Sequence, residues 1–159
     1  MEEIAILQQQ YQMIKGSREV VLDFAAQHLS DLLQVPVPAF GKSIAYLLVH
    51  NANVYLHWTA NFAMQFNREY ANENAFTSIS SIRELYSMVD LMVDTFLNHY
   101  RSKLNEVVSG ITANGQNEQS TPLEIFTHVI THEFHHKGQL LSMFRLLGHT
   151  PPDADVIRF

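Results

Sequence analysis

Cysteine is absent from the 159 residues. That gap excludes disulfide staples, thiolate metal ligands and any internal sulfur nucleophile. A metal in this protein must be held by nitrogen and oxygen, and thiol chemistry must use a sulfur brought in from outside. Basic residues are also few. Ten Lys and Arg stand scattered against 16 Asp and Glu, for a formal net charge of −6. Binding to a phosphate backbone needs clustered positive charge, so nucleic acid is not an expected partner. No apolar run comes near the roughly 20 residues that span a bilayer, so no membrane partner is expected either. The first residues, Met-Glu-Glu-Ile-Ala, lack the basic start of a secretory signal, and a cytoplasmic location is the expectation.

What remains reads as one globular domain over residues 1–159, with 47% hydrophobic and 16% charged residues. Hydrophobic periodicity marks four long helices, and no segment reads as a strand. The first is expected from about Glu3 to His28, with Leu7, Tyr11, Ile14, Val21 and Ala25 on one face. Gly16 and Ser17 weaken its middle and predict a kink or break. The prolines of Val35-Pro-Val-Pro form a connector. A second helix is expected from Lys42 or Ser43 to Tyr70, carrying Tyr46, Leu47, His50, Val54, His57 and Asn61 on one side, with Ala71-Asn-Glu-Asn as the joint after it. A third opens on the capping-box pattern Ser81-Ile-Arg-Glu84 and runs to about Ser109, with Leu85, Val89, Met92 and Phe96 inward. After a polar loop, the fourth begins at Thr121-Pro-Leu-Glu124, an N-cap followed by Pro and a Glu three residues on. It ends at Gly148 before Pro151 and Pro152. Four amphipathic helices with moderate connectors define an all-α helix bundle.

The chemistry concentrates on the fourth helix. His132 and His136, four residues apart, share the stripe Ile125, Val129, His132, His136, Leu140, Met143 and Leu147. A buried polar ring needs a partner, and two rings stacked in one apolar stripe suggest a shared metal ion. Imidazole suits zinc, nickel, iron and manganese, and catalytic sites commonly combine three protein ligands with an open position. The third ligand must come across the bundle, and His50 is the best candidate. His128 lies near the stripe as a supporting or surface residue, and His135 points away. His57 is a pocket-lining candidate. His28, His99 and His149 carry no usable signal. Asp90 and Asp94 share a face that reads as solvated. Gln139, Asn61, Asp94 and Glu133 are candidates to accept the other ring N–H of a ligating histidine.

The segment His132-Glu133-Phe134-His135-His136 also satisfies His-Glu-x-x-His, the zinc-peptidase pattern with Glu as general base. Its context fails: no downstream ligand follows on the helix, and no substrate-binding sheet is visible.

Leu-Leu-Val-His50, His128-Val-Ile-Thr-His132-Glu-Phe-His-His136-Lys-Gly-Gln and the closing Leu-Gly148-His-Thr-Pro-Pro-Asp-Ala-Asp resemble, in order and spacing, the bacterial DinB family. The resemblance implies a four-helix up-down-down-up bundle, often a homodimer, with a divalent metal on three histidines that fall here on His50, His132 and His136. Lys137 stands where the common pattern has Arg. Characterised relatives include S-transferases and isomerases that use low-molecular-weight thiols such as bacillithiol, mycothiol or glutathione. The expected function is therefore thiol-dependent transfer onto a small electrophile. The alternatives are a metal-dependent hydrolase, with Glu133 or His57 carrying the proton, and a non-catalytic metal- or ligand-binding bundle. A dimer would use the Phe126/Ile130/Phe134 side of the fourth helix, unless that side packs within its own chain.

Overall fold

The computed structural model describes residues 2–158. It is mostly helical, with one small hairpin. Helix α1 (Glu2–His28) leads through a 3-10 turn (Ser30–Leu32) to α2 (Ile44–Tyr55), which passes directly into a π-helical stretch (Leu56–Ala63). Then follow α3 (Ile79–His99), strands β1 (Val108–Ile111) and β2 (Asn117–Ser120), and α4 (Pro122–Leu146). Helices α1 and α2 each pack against both α3 and α4. The core fills the space between them, with Leu22, Tyr55, Phe96, Phe126 and Phe144 fully buried.

The inward faces follow the periodicity of the sequence. Tyr11, Ile14, Val21 and Ala25 of α1 are buried, as are Leu85, Val89 and Phe96 of α3 and Ile125, Val129, Leu140 and Met143 of α4. Helix α4 starts as its capping box requires. The Thr121 hydroxyl accepts from Glu124 N–H at 3.2 Å, and the Glu124 carboxylate accepts from Thr121 N–H at 2.8 Å. Gly148, at φ +88°, ends it in a conformation that favours glycine. Phe126 and Ile130 are buried and Phe134 is half-buried against the same core, so this side of α4 packs within its own chain.

Four expectations are corrected. Helix α1 runs unbroken through Gly16 and Ser17. Ser17 is buried there and its hydroxyl donates to the Ala154 carbonyl, so tertiary packing outweighs the weak local propensity.

The second helix stops at Ala63, short of Tyr70. The Thr59 hydroxyl donates to the Tyr55 carbonyl at 2.7 Å and occupies an acceptor of the helical ladder where the π register sets in. Beyond Met64 the backbone turns through left-handed Gln65 (φ 55°) and Asn67 (φ 51°). The Asn61 amide then holds Arg68 at both its N–H and its carbonyl.

Helix α3 is capped by Ser78, whose hydroxyl accepts from Ser81 N–H at 3.1 Å, one turn earlier than the Ser81 pattern suggested. It also ends at His99, where Tyr100 turns to donate its hydroxyl to the Ala63 carbonyl at 2.8 Å.

The residues after α3 hold a two-stranded antiparallel hairpin, pairing Val108 with Ser120 and Ile111 with Asn117. Four-residue strands, one of them Asn-Glu-Gln-Ser, carry no alternating apolar signal to read. What seats the hairpin is a close approach: a Cβ at Gly110 would lie 2.6 Å from the Phe62 ring and carbonyl, so only glycine fits.

Candidate metal centre

Helices α2 and α4 lie side by side, and their facing surfaces bring three histidines together. His50 comes from α2, His132 and His136 from α4, each with one ring nitrogen within 4.8 Å of the others'. Ring centroids are 4.4 Å apart for His132 and His136, 5.2 Å for His50 and His136, and 5.8 Å for His50 and His132. The i, i+4 spacing stacks the α4 pair on one face, and His50 meets it from the neighbouring helix. All three rings are half-buried.

The hydrogen bonds determine which nitrogen of each ring is free. His50 Nδ1 lies 3.0 Å from Glu73 Oε1, and His136 Nδ1 lies 2.7 Å from Gln139 Oε1. Both partners are oxygen acceptors, so each ring carries its proton on Nδ1 and presents a bare Nε2 lone pair. The buried Nε2 atoms of His132 and His136 have no hydrogen-bond partner among the described residues. Unpaired buried acceptors cost free energy unless something supplies the missing partner. Burial and the mutual proximity of the rings push His132 down to about 4, and burial also lowers His136. Both are therefore neutral at pH 7, the state that ligates a cation. Three imidazoles whose ring nitrogens converge fit a divalent metal ion.

A cleft of about 680 Å³ opens beside His50. His50, His57, Trp58, Tyr70 and Glu73 line it, and the hairpin turn Thr112–Asn114 closes one side. His57 Nδ1 lies 2.7 Å from the Tyr70 hydroxyl, while its Nε2 is buried and unpartnered. Burial lowers its pKa, with a smaller contribution from His128.

The remaining sequence candidates fall elsewhere. His128 is exposed and meets the Trp58 ring at 4.9 Å; His135 is exposed beside His136. Asn61 holds Arg68, and Asp94 is exposed. Glu133 points to the opposite side of α4. Its carboxylate accepts from Arg18 Nε at 2.7 Å and Arg18 Nη2 at 3.0 Å, and the Tyr55 hydroxyl donates to it as well. Asp90 is no part of a solvated face. It accepts from Arg18 Nη1 at 2.8 Å and from the Tyr11 hydroxyl at 2.7 Å. The Tyr86 ring lies 4.2 Å beneath the guanidinium. Glu133 is thus occupied by a buried cation, which removes the peptidase-type base from the histidine cluster.

Two contributors escaped the sequence reading. Arg18 shared the α1 stripe with Ile14 and Val21, so its inward position was legible from periodicity. Glu73 sits in irregular chain where no periodic signal exists. Lys137 is buried by a different demand: its Nζ donates to the Ala154 carbonyl at 2.7 Å and to Ser17 Oγ at 3.2 Å, and lies 3.8 Å over the Phe134 ring. It ties the C-terminal segment to α1 and α4.

The chain matches the DinB family over residues 1–159, its whole length, and it belongs to that family. No curated protein matches it.

Proposed function

We propose that this member of the DinB family holds a divalent transition-metal ion on His50, His132 and His136 and catalyses transfer of an external thiol onto a small electrophile. One observation carries the reading: the buried Nε2 atoms of His132 and His136, with no partner among the described residues, stand beside His50, which itself lines an open cleft. A divalent ion held there supplies Lewis acidity, lowering the pKa of a thiol that meets it. The chain contributes no thiol of its own, so the thiol enters as co-substrate. Trp58 and Tyr70 give the cleft aromatic walls against which a small electrophile can pack. His57, held neutral by burial and oriented by Tyr70, is placed to carry the proton released by the thiol. The up-down-down-up helix order, a bacterial cytoplasmic setting and a homodimer belong to the same reading.

His57 also favours a second reading, hydrolysis, in which it takes the proton from water in place of a thiol. One assay separates the two. Metal-loaded protein is incubated with an aryl halide or an epoxide, with and without a panel of low-molecular-weight thiols. Turnover that requires both metal and thiol is expected. Turnover independent of thiol selects hydrolysis, and rates equal to those of metal-free protein end both readings.

A further inference from the structure

We infer that Glu73 is a positioning residue of this metal centre, acting through His50 from the irregular segment that follows the π-helical stretch. The inference rests on the reading of His50, His132 and His136 as ligands and adds a residue to it. Glu73 Oε1 accepts from His50 Nδ1 at 3.0 Å, and among the described residues this is the only side-chain hydrogen bond that the Glu73 carboxylate makes. A neutral imidazole in water divides its proton between the two nitrogens. A carboxylate at Nδ1 selects the Nδ1–H form, turns the ring, and leaves the Nε2 lone pair for the ion. His136 receives the same service from the neutral Gln139 amide. Glu73 differs in bringing a full negative charge to a cluster whose three ligands are uncharged, which offsets part of the charge of a divalent cation.

The segment is built to deliver that carboxylate. Asn53, three residues after His50 on the same helix, grips Ala71 on both sides: its amide donates to the Ala71 carbonyl at 2.9 Å and accepts from Ala71 N–H at 2.9 Å. Asn72 closes the next turn, accepting from Asn74 N–H at its side chain and from Ala75 N–H at its carbonyl, both at 3.0 Å. Glu73 stands between these fixed points, so helix α2 carries both the histidine and the clamp that aims its partner.

The test titrates zinc into metal-free wild type, E73A, E73Q and H50A, with affinity read by competition against a chromophoric chelator. Roughly 10–100-fold weaker zinc binding is expected for E73A, with a smaller loss for E73Q because an amide oxygen still accepts from Nδ1. H50A should bind more weakly than either. A second readout needs no metal: 15N NMR of the histidine side chains should show His50 as the Nδ1–H form in wild type and a mixture of forms in E73A. A wild-type Kd in H50A would overturn the ligand trio itself. With H50A defective, a Kd for E73A within about twofold of wild type, outside the range such partners produce, overturns the role of Glu73 alone. An unchanged His50 tautomer in E73A overturns it equally.

Discussion

Neighbouring positions on α4 face two different polar environments. Glu133 turns toward α1 and enters a knot in which every charged group has a partner: Arg18 binds Glu133 through two nitrogens and Asp90 through a third, with Tyr11 and Tyr55 donating to the carboxylates. Arg18 is 4% exposed and Glu133 6%. His132 and His136 turn toward α2 and form a cluster in which two ring nitrogens are buried with no partner among the described residues. One region is complete from its own residues, whereas the other leaves two buried ring nitrogens without a partner among the described residues. Buried polarity thus has two meanings in one protein, and hydrogen-bond satisfaction separates them.

The largest expected effect comes from breaking the complete side. Arg18→Ala strands the buried Glu133 charge and should cost about 3–5 kcal/mol, measured by urea unfolding. Replacing Arg18 and Glu133 together with apolar residues of similar volume should recover most of that loss, because the stranded charge is then gone. Failure of the double variant to recover would mean that the knot does more than satisfy itself.

The incomplete side should respond in the opposite way. Zinc at about 100 times its Kd should raise wild-type stability by about 2.7 kcal/mol. His132→Ala should abolish that increment while costing the metal-free protein far less than Arg18→Ala does, since it removes an unsatisfied nitrogen and strands no buried charge. A metal-free variant that unfolds as readily as Arg18→Ala would erase the distinction between the two regions.

The smallest effect is acid sensitivity of the metal-free form. The His132 pKa is depressed in the folded state, from 6.5 to about 4. Below pH 6.5 the unfolded chain therefore binds more protons than the folded one. Stability should fall as pH drops from about 6.5 toward about 4 and show no further loss from this group below that. The ring is half-exposed, so solvent screening keeps the change modest. His132→Ala should flatten this part of the profile, and an unaltered profile would assign the acid sensitivity to other groups.

Legibility in the sequence followed the reach of the interactions involved. The cap, face and end of α4 were readable, because Thr121, Glu124, the histidine spacing and Gly148 act within a few residues of one another. The inward position of Arg18 was readable for the same reason, although its partners were not. The π-helical stretch, the early end of the second helix and the hairpin were unreadable. Thr59 has to take the Tyr55 carbonyl, Asn61 has to reach Arg68, and Gly110 has to meet Phe62. None of these choices leaves a periodic mark.

By itself the sequence determined where apolar stripes run, and therefore that two imidazoles one helical turn apart would face a neighbouring helix without any cysteine beside them. Only the tertiary structure decided that His50 meets them and that Glu73 and Gln139 hold two of the rings by Nδ1. It also decided that Glu133, between the two histidines in sequence, belongs to Arg18 instead. The physical reason lies in the range of the forces. Helix periodicity is set by backbone hydrogen bonds four residues apart, whereas the partner of a buried polar group is whichever group the packing of distant segments brings within about 3 Å.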